Sequence, residues 1–213
     1  VQDIQKDRLS YLERFSNLAP LSRLTFETFD PRHVNLTAGQ RENLDAALRM
    51  ARDFARHPQG WLVLQGVNGC GKTHLAAAIG NYQLKQGRPV FFVTVADLLD
   101  HLRSTFTPDS QVSYDELFDR VRNTPLLILD DLGEHSATPW AREKLYQIIN
   151  HRYNSRLATV FTTCLALDDI ETRLSSRMAD LTVSNVFNIT APDSRTDLKL
   201  SRKNAQQRRR EQA

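Results

Sequence analysis

Gly66-Val67-Asn68-Gly69-Cys70-Gly71-Lys72-Thr73 sits between a short apolar run, residues 61–65, and a helix-forming stretch, residues 73–86. The octapeptide fits G-x-x-x-x-G-K-[ST] at every position, and strand–turn–helix is the context that gives this motif its meaning. Its glycines let successive backbone N–H groups turn inward as a nest for phosphate oxygens. A helix opening near Lys72 adds the positive end of its dipole. Lys72 is expected to reach the β- and γ-phosphates, and the Thr73 hydroxyl to bind Mg²⁺, with residues 66–74 (Gly66, Val67, Asn68, Gly69, Cys70, Gly71, Lys72, Thr73 and His74) forming the nucleotide-binding stretch. Cys70 reads either as a small filler of an unconstrained loop position or as a redox-sensitive thiol activated by the helix N-terminus.

Outward from this loop the pattern alternates. PVFFVTV (89–95) is a second buried strand, residues 126–131 a third, 157–163 a fourth and 186–190 a fifth. Helices are predicted over 96–106, 113–122, 138–155 and 168–180, with a loop at 107–112. Near-continuous apolar strands separated by helices predict an α/β fold with a five-stranded parallel sheet covered on both faces. Upstream, Leu44, Ala47, Leu48, Ala51, Phe54 and Ala55 repeat at helical spacing over about 40–56, and His57-Pro58 ends the run. LTFETFD (24–30) has strand-like alternation that stops at Pro31. Residues 1–17 read as a charged, weakly amphipathic helix.

Leu126-Leu127-Ile128-Leu129-Asp130-Asp131 is an apolar strand ending in two carboxylates, as a Walker B element should. Asp130 is expected to hold Mg²⁺ at the carboxyl end of the sheet, where ligands bind. Asp131 is expected to orient or deprotonate the attacking water.

Composition narrows the class further. The 213 residues carry a formal charge of +3. Seven basic and two acidic residues fall between Arg195 and the end, so the tail holds +5 and residues 1–194 hold −2. The body is therefore no basic nucleic-acid clamp, and the tail reads as a solvated, disordered end or, as the alternative, a source of added phosphate contacts. No apolar stretch reaches the roughly 20 residues of a membrane span, and no signal peptide opens the chain. Two cysteines make neither a disulfide framework nor a zinc site. A reducing, cytoplasmic setting is expected. The chain begins at Val1, which raises the expectation of residues upstream.

These two motifs and their surroundings resemble the AAA+ ATPases of the DnaC/DnaI helicase-loader and IstB transposition-helper group. The resemblance is carried by LTFETFD, LQGVNGCGKTHLAAAIGNYQLKQGRPVFFVTVADLLDHLRSTF, LLILDDLGEHSATPWAREKLYQIINHRYNSR, and RLSSRMAD with APDSR behind it. It spans roughly residues 24–196. It implies a three-layer P-loop fold with a minimal or absent C-terminal lid, and a bacterial or phage source. The domain is then 24–194, preceded by a helix or linker at 1–23 and followed by the tail, 195–213.

The same resemblance implies functional residues. Arg177, or else Arg173, matches the arginine that reaches into a neighbouring subunit's ATP. Arg195 matches the arginine that acts in cis on the γ-phosphate. The sensor I position falls at Thr163-Cys164, where the family usually has Asn after two threonines. A thiol is a weak donor and acceptor, so Cys164 points to slowed turnover unless Thr163 substitutes. Residues 97–123 correspond to an insertion that touches single-stranded DNA, with Arg103, Phe106 and Tyr114 as candidates because aromatics stack on any base. Phe106 could equally pack in the core.

Three functions follow from these residues. The first is an ATP- and Mg²⁺-dependent loader of a replicative DNA helicase, assembled as an ATP-bridged homo-oligomer on single-stranded DNA. The second is a transposition helper acting on duplex DNA with a transposase. The third is a nucleotide-gated adaptor with negligible turnover. A small-molecule kinase is set aside, because no lid-like arginine cluster is evident and paired aspartates favour hydrolysis.

Overall fold

The computed structural model describes residues 16–31, 36–106, 113–133 and 138–195. The expected N-terminal helix (1–15 of it), the 107–112 loop and the basic tail beyond Arg195 lie outside the described residues.

Five strands, β1 (Trp61–Gly66), β2 (Val90–Thr94), β3 (Leu126–Asp130), β4 (Ala158–Thr163) and β5 (Ser184–Ile189), form one sheet in the order β2-β3-β4-β1-β5. All neighbours pair in parallel; Leu64 of β1 lies beside Thr162 of β4 and Phe187 of β5. Side chains alternate across the sheet. Leu62 and Leu64 join Phe92, Ile128 and Val160 in one apolar cluster, while Trp61 and Val63 join Phe91, Leu127 and Phe161 in the other.

Helices α1 (Ala38–Arg56) and α2 (Lys72–Lys85) cover the first face. Thr37 caps α1, its hydroxyl accepting from the Gln40 N–H while the Gln40 side chain accepts from the Thr37 N–H. The second face is covered by α3 (Val95–Ser104), α4 (Tyr114–Asn123), α5 (Pro139–Asn154) and α6 (Thr172–Met178). The outer edge of β2 is met by the segment before the domain. Asn17 donates its N–H to the Phe92 carbonyl (2.8 Å), its side chain accepts from the Thr94 N–H, and Leu18 is buried against α2.

Two expectations about local structure change. Residues 24–30 form turns rather than a strand. Phe26 and Phe29 both bury, a spacing of three that alternation would send to opposite faces. Thr25 and Thr28 bond the local backbone with their hydroxyls, which favours the turn. The helix expected over 168–180 is split into a 3₁₀ turn, Leu167–Asp169, and α6, because Ile170 is extended (φ −85°, ψ 147°).

Candidate nucleotide site

The loop between β1 and α2 closes over itself. Lys72 is nearly buried and donates from Nζ to the carbonyls of Gly66 (2.8 Å) and Val67 (2.9 Å). Gly69 (φ 75°) and Gly71 (φ 108°) adopt left-handed backbone that other residues rarely accept. A Cβ at Gly69 would overlap the Asp193 carboxylate, and one at Gly71 would come within 2.9 Å of the Phe29 ring. His74 is turned to the 25–29 segment: its Nε2 bonds the Thr25 carbonyl and Thr28 hydroxyl, and its ring meets Phe29 edge-on. Cys70 is 4% exposed and burial pushes its thiol up, which favours the protonated filler over the reactive thiolate.

Behind the loop, Asp130 ends β3 almost wholly buried. The Thr73 hydroxyl donates to its carboxylate (3.0 and 3.1 Å), and Thr162 of β4 donates from the other side (2.6 Å). Burial raises the carboxyl's pKa; the hydrogen bonds from Thr162 and Thr73 work against it, and the neighbouring Asp131 adds to it. Asp131 leaves the strand in left-handed conformation (φ 59°) and is exposed. A carboxylate and a hydroxyl suit Mg²⁺, which takes few protein ligands and completes its shell with phosphates and water. Among the described residues there is no group of three or more His, Cys, Asp or Glu that could hold a metal ion.

At the end of β4, Thr163 spends its proton on the Leu132 carbonyl (2.6 Å) and accepts from the Leu165 N–H. Cys164 follows it, exposed. After β5 the chain returns to the phosphate loop, where Ser194 donates its N–H and hydroxyl to the Gly69 carbonyl. Arg195 is thereby brought beside the loop, its N–H bonded to Asp193.

The other two arginines lie on α6 and differ in charge balance. Arg177 donates Nε and Nη2 to the Asn150 side-chain oxygen (3.1 and 2.7 Å), Nη2 also to the Tyr146 hydroxyl, and stacks over Tyr146 and Tyr153. Arg173 pairs with Glu171 and Glu143. Arg177 donates to neutral oxygens, those of Asn150, Tyr146 and the Arg173 carbonyl, whereas Arg173 is balanced by carboxylates.

On the α3–α4 face Phe106 is 61% exposed, which answers the core alternative. It stacks on Tyr114 (5.1 Å), which stacks on Phe118 (5.4 Å). Lys144 lies over the Tyr114 and Phe118 rings, and Arg103 over Trp140. Sequence reasoning missed Thr162, Asn150, Trp140, Lys144 and Ser194. Hydroxyl residues at the end of an otherwise apolar strand were the one available signal, for Thr162.

A parallel sheet in this order, with a phosphate loop after β1 and a buried carboxylate ending β3, defines a P-loop protein of the AAA+ class. The chain is similar to the crystal structure of the DnaC helicase loader (25% identity, TM-score 0.64, 79% of this chain and 97% of that one). It is similar as well to DnaI (26%, 0.63, 82% and 92%). It belongs to the IstB-like ATP binding protein family, whose model matches residues 5–184. Among curated proteins, the replicative helicase loader DnaC of Buchnera aphidicola (subsp. Schizaphis graminum) is 31% identical over 156 residues, 73% of this chain and 61% of that protein. DnaC of Escherichia coli K12 is 31% identical over 137 residues, 63% of this chain and 56% of that one. The chain thus spans about three-fifths of the relatives it matches. Among the described residues, no helix is long and apolar enough to cross a membrane.

Proposed function

We propose that this chain is an Mg²⁺-dependent ATPase that acts in DNA replication as a loader of the replicative helicase. The observation that carries the ATPase reading is the contact of Thr73 with Asp130 directly behind the phosphate loop. Backbone N–H groups of the loop would bind the phosphates and Lys72 would leave its loop carbonyls for the β- and γ-oxygens. Thr73 and Asp130 would hold Mg²⁺, which neutralises charge developing on the transferred phosphoryl group. Asp131 would take or orient the attacking water. Arg195 would act in cis, and Arg177 from a neighbouring copy in an ATP-bridged oligomer. Its neutral partners favour Arg177 over Arg173 for that role, since its charge is left for the γ-phosphate.

The loader reading is supported by the DnaC relatives and by the exposed Phe106, which stacks on a half-buried Tyr114 backed by the buried Phe118, with Lys144 over the inner rings and Arg103 over Trp140. Aromatic faces and cations together suit single-stranded DNA. The family's IstB description keeps a second reading, a transposition helper working on duplex DNA with a transposase. ATP hydrolysis measured against equal titrations of single-stranded and duplex DNA separates them. Stimulation by single strands, with retention of the replicative helicase in a pull-down, is the loader's outcome; preference for duplex is the helper's.

A further inference from the structure

We infer that Thr162 is a positioning residue of the hydrolytic centre, fixing both aspartates at the end of β3. The inference rests on the reading of this site as an ATPase. Thr162 is buried and its Oγ1 carries a single proton. The Asp131 N–H can only donate, and it does so to that oxygen at 2.9 Å. The hydroxyl proton is therefore committed to Asp130 Oδ1, 2.6 Å away. One hydroxyl thus reads the backbone of Asp131 and the side chain of Asp130 at once.

The same residue holds the turn. Asp131 is left-handed (φ 59°), a conformation disfavoured for a non-glycine residue. It is kept by its own bond to Thr162, by the Leu132 N–H donating to the Thr162 carbonyl (2.8 Å), and by Thr163 donating to the Leu132 carbonyl. This turn lets consecutive aspartates differ, Asp130 buried against Thr73 and Asp131 exposed. The thiol of Cys164 is a poor hydrogen-bonding group. Ordering of the acidic pair falls to the hydroxyl two residues earlier. Thr162→Val would keep the shape while removing the acceptor of the Asp131 N–H and leaving the Asp130 carboxylate held by the Thr73 hydroxyl from one side only.

The test compares Thr162→Val and Thr162→Ser in the full chain. It reads melting temperature, kcat and KM for ATP, and the Mg²⁺ concentration needed to bind a fluorescent non-hydrolysable ATP analogue. Thr162→Val is expected to fold, to need about tenfold more Mg²⁺, and to lose roughly 10–100-fold in kcat with KM little changed. Thr162→Ser should restore both. A folded valine variant with wild-type Mg²⁺ dependence and kcat overturns the assignment, as does a serine variant that restores neither. Should the valine variant not fold, Thr162→Cys replaces it, and full turnover with wild-type Mg²⁺ dependence there is equally contrary. If the wild type does not hydrolyse ATP, the ATPase reading fails by itself. The Mg²⁺ dependence of analogue binding then still decides the role of Thr162.

Discussion

The two ends of strand β4 bury opposite charges and use them differently. At the amino end, Arg152 of α5 is fully buried, donating to the Thr159 hydroxyl and to the carbonyls of Arg122, Thr124 and Ala158. Burial pulls its pKa down to about 9, so it remains charged at neutral pH. At the carboxyl end, Asp130 is buried against two hydroxyls and its pKa is pushed up. In both cases desolvation opposes the charge and short polar bonds oppose desolvation. Arg152 directs its donors to the end of α4 and the start of β4, and so ties both to α5. Asp130 is held from two sides by hydroxyls and stands next to the phosphate loop. Buried charge alone therefore does not mark a site; what the partners leave available does.

Breaking the amino end should have the largest effect. Arg152→Ala strands several buried oxygens, and a loss of roughly 3–5 kcal/mol in denaturant unfolding is expected. A loss under about 1 kcal/mol would show that Arg152 is dispensable to the fold.

Arg177→Ala sharpens the contrast next. If its neutral partners leave its charge available, turnover should fall by about a thousandfold while nucleotide affinity holds. Arg173→Ala, which removes a charge already balanced by Glu143 and Glu171, should change turnover only a fewfold. Equal losses in steady-state kinetics would erase the distinction.

Asp130→Asn separates stability from function at the carboxyl end. The folded-state pKa is raised, so the wild type is helped at low pH and loses that help as pH rises through it. The variant should thus melt higher than wild type near neutrality, with the gap narrowing towards about pH 4. Its turnover should drop at least about a hundredfold. A lower melting temperature at every pH would mean that hydrogen bonding outweighs desolvation at this carboxylate.

The contrast also explains what was legible in the sequence. Strands β1 to β4 announce themselves because both faces are buried and the apolar runs are continuous. The phosphate loop and Asp130-Asp131 are legible because their chemistry needs particular residues at fixed spacing. Residues 24–30 misled because Phe26 and Phe29 sit in a pattern that fits a strand as well as a turn. The contacts across the sheet stayed hidden: Thr162 lies 32 residues from Asp130, and only the pairing of β3 with β4 brings them together. Asn150 and Arg177 meet in the same way, through the packing of α5 against α6.

The most direct test of the central claim is calorimetric titration of ATP with Mg²⁺ into the wild type and Lys72→Ala. A phosphate-binding centre at this loop predicts saturable one-site binding to the wild type and none to the variant, with both folded by circular dichroism. Equal binding by a folded Lys72→Ala would put the nucleotide elsewhere and contradict the account.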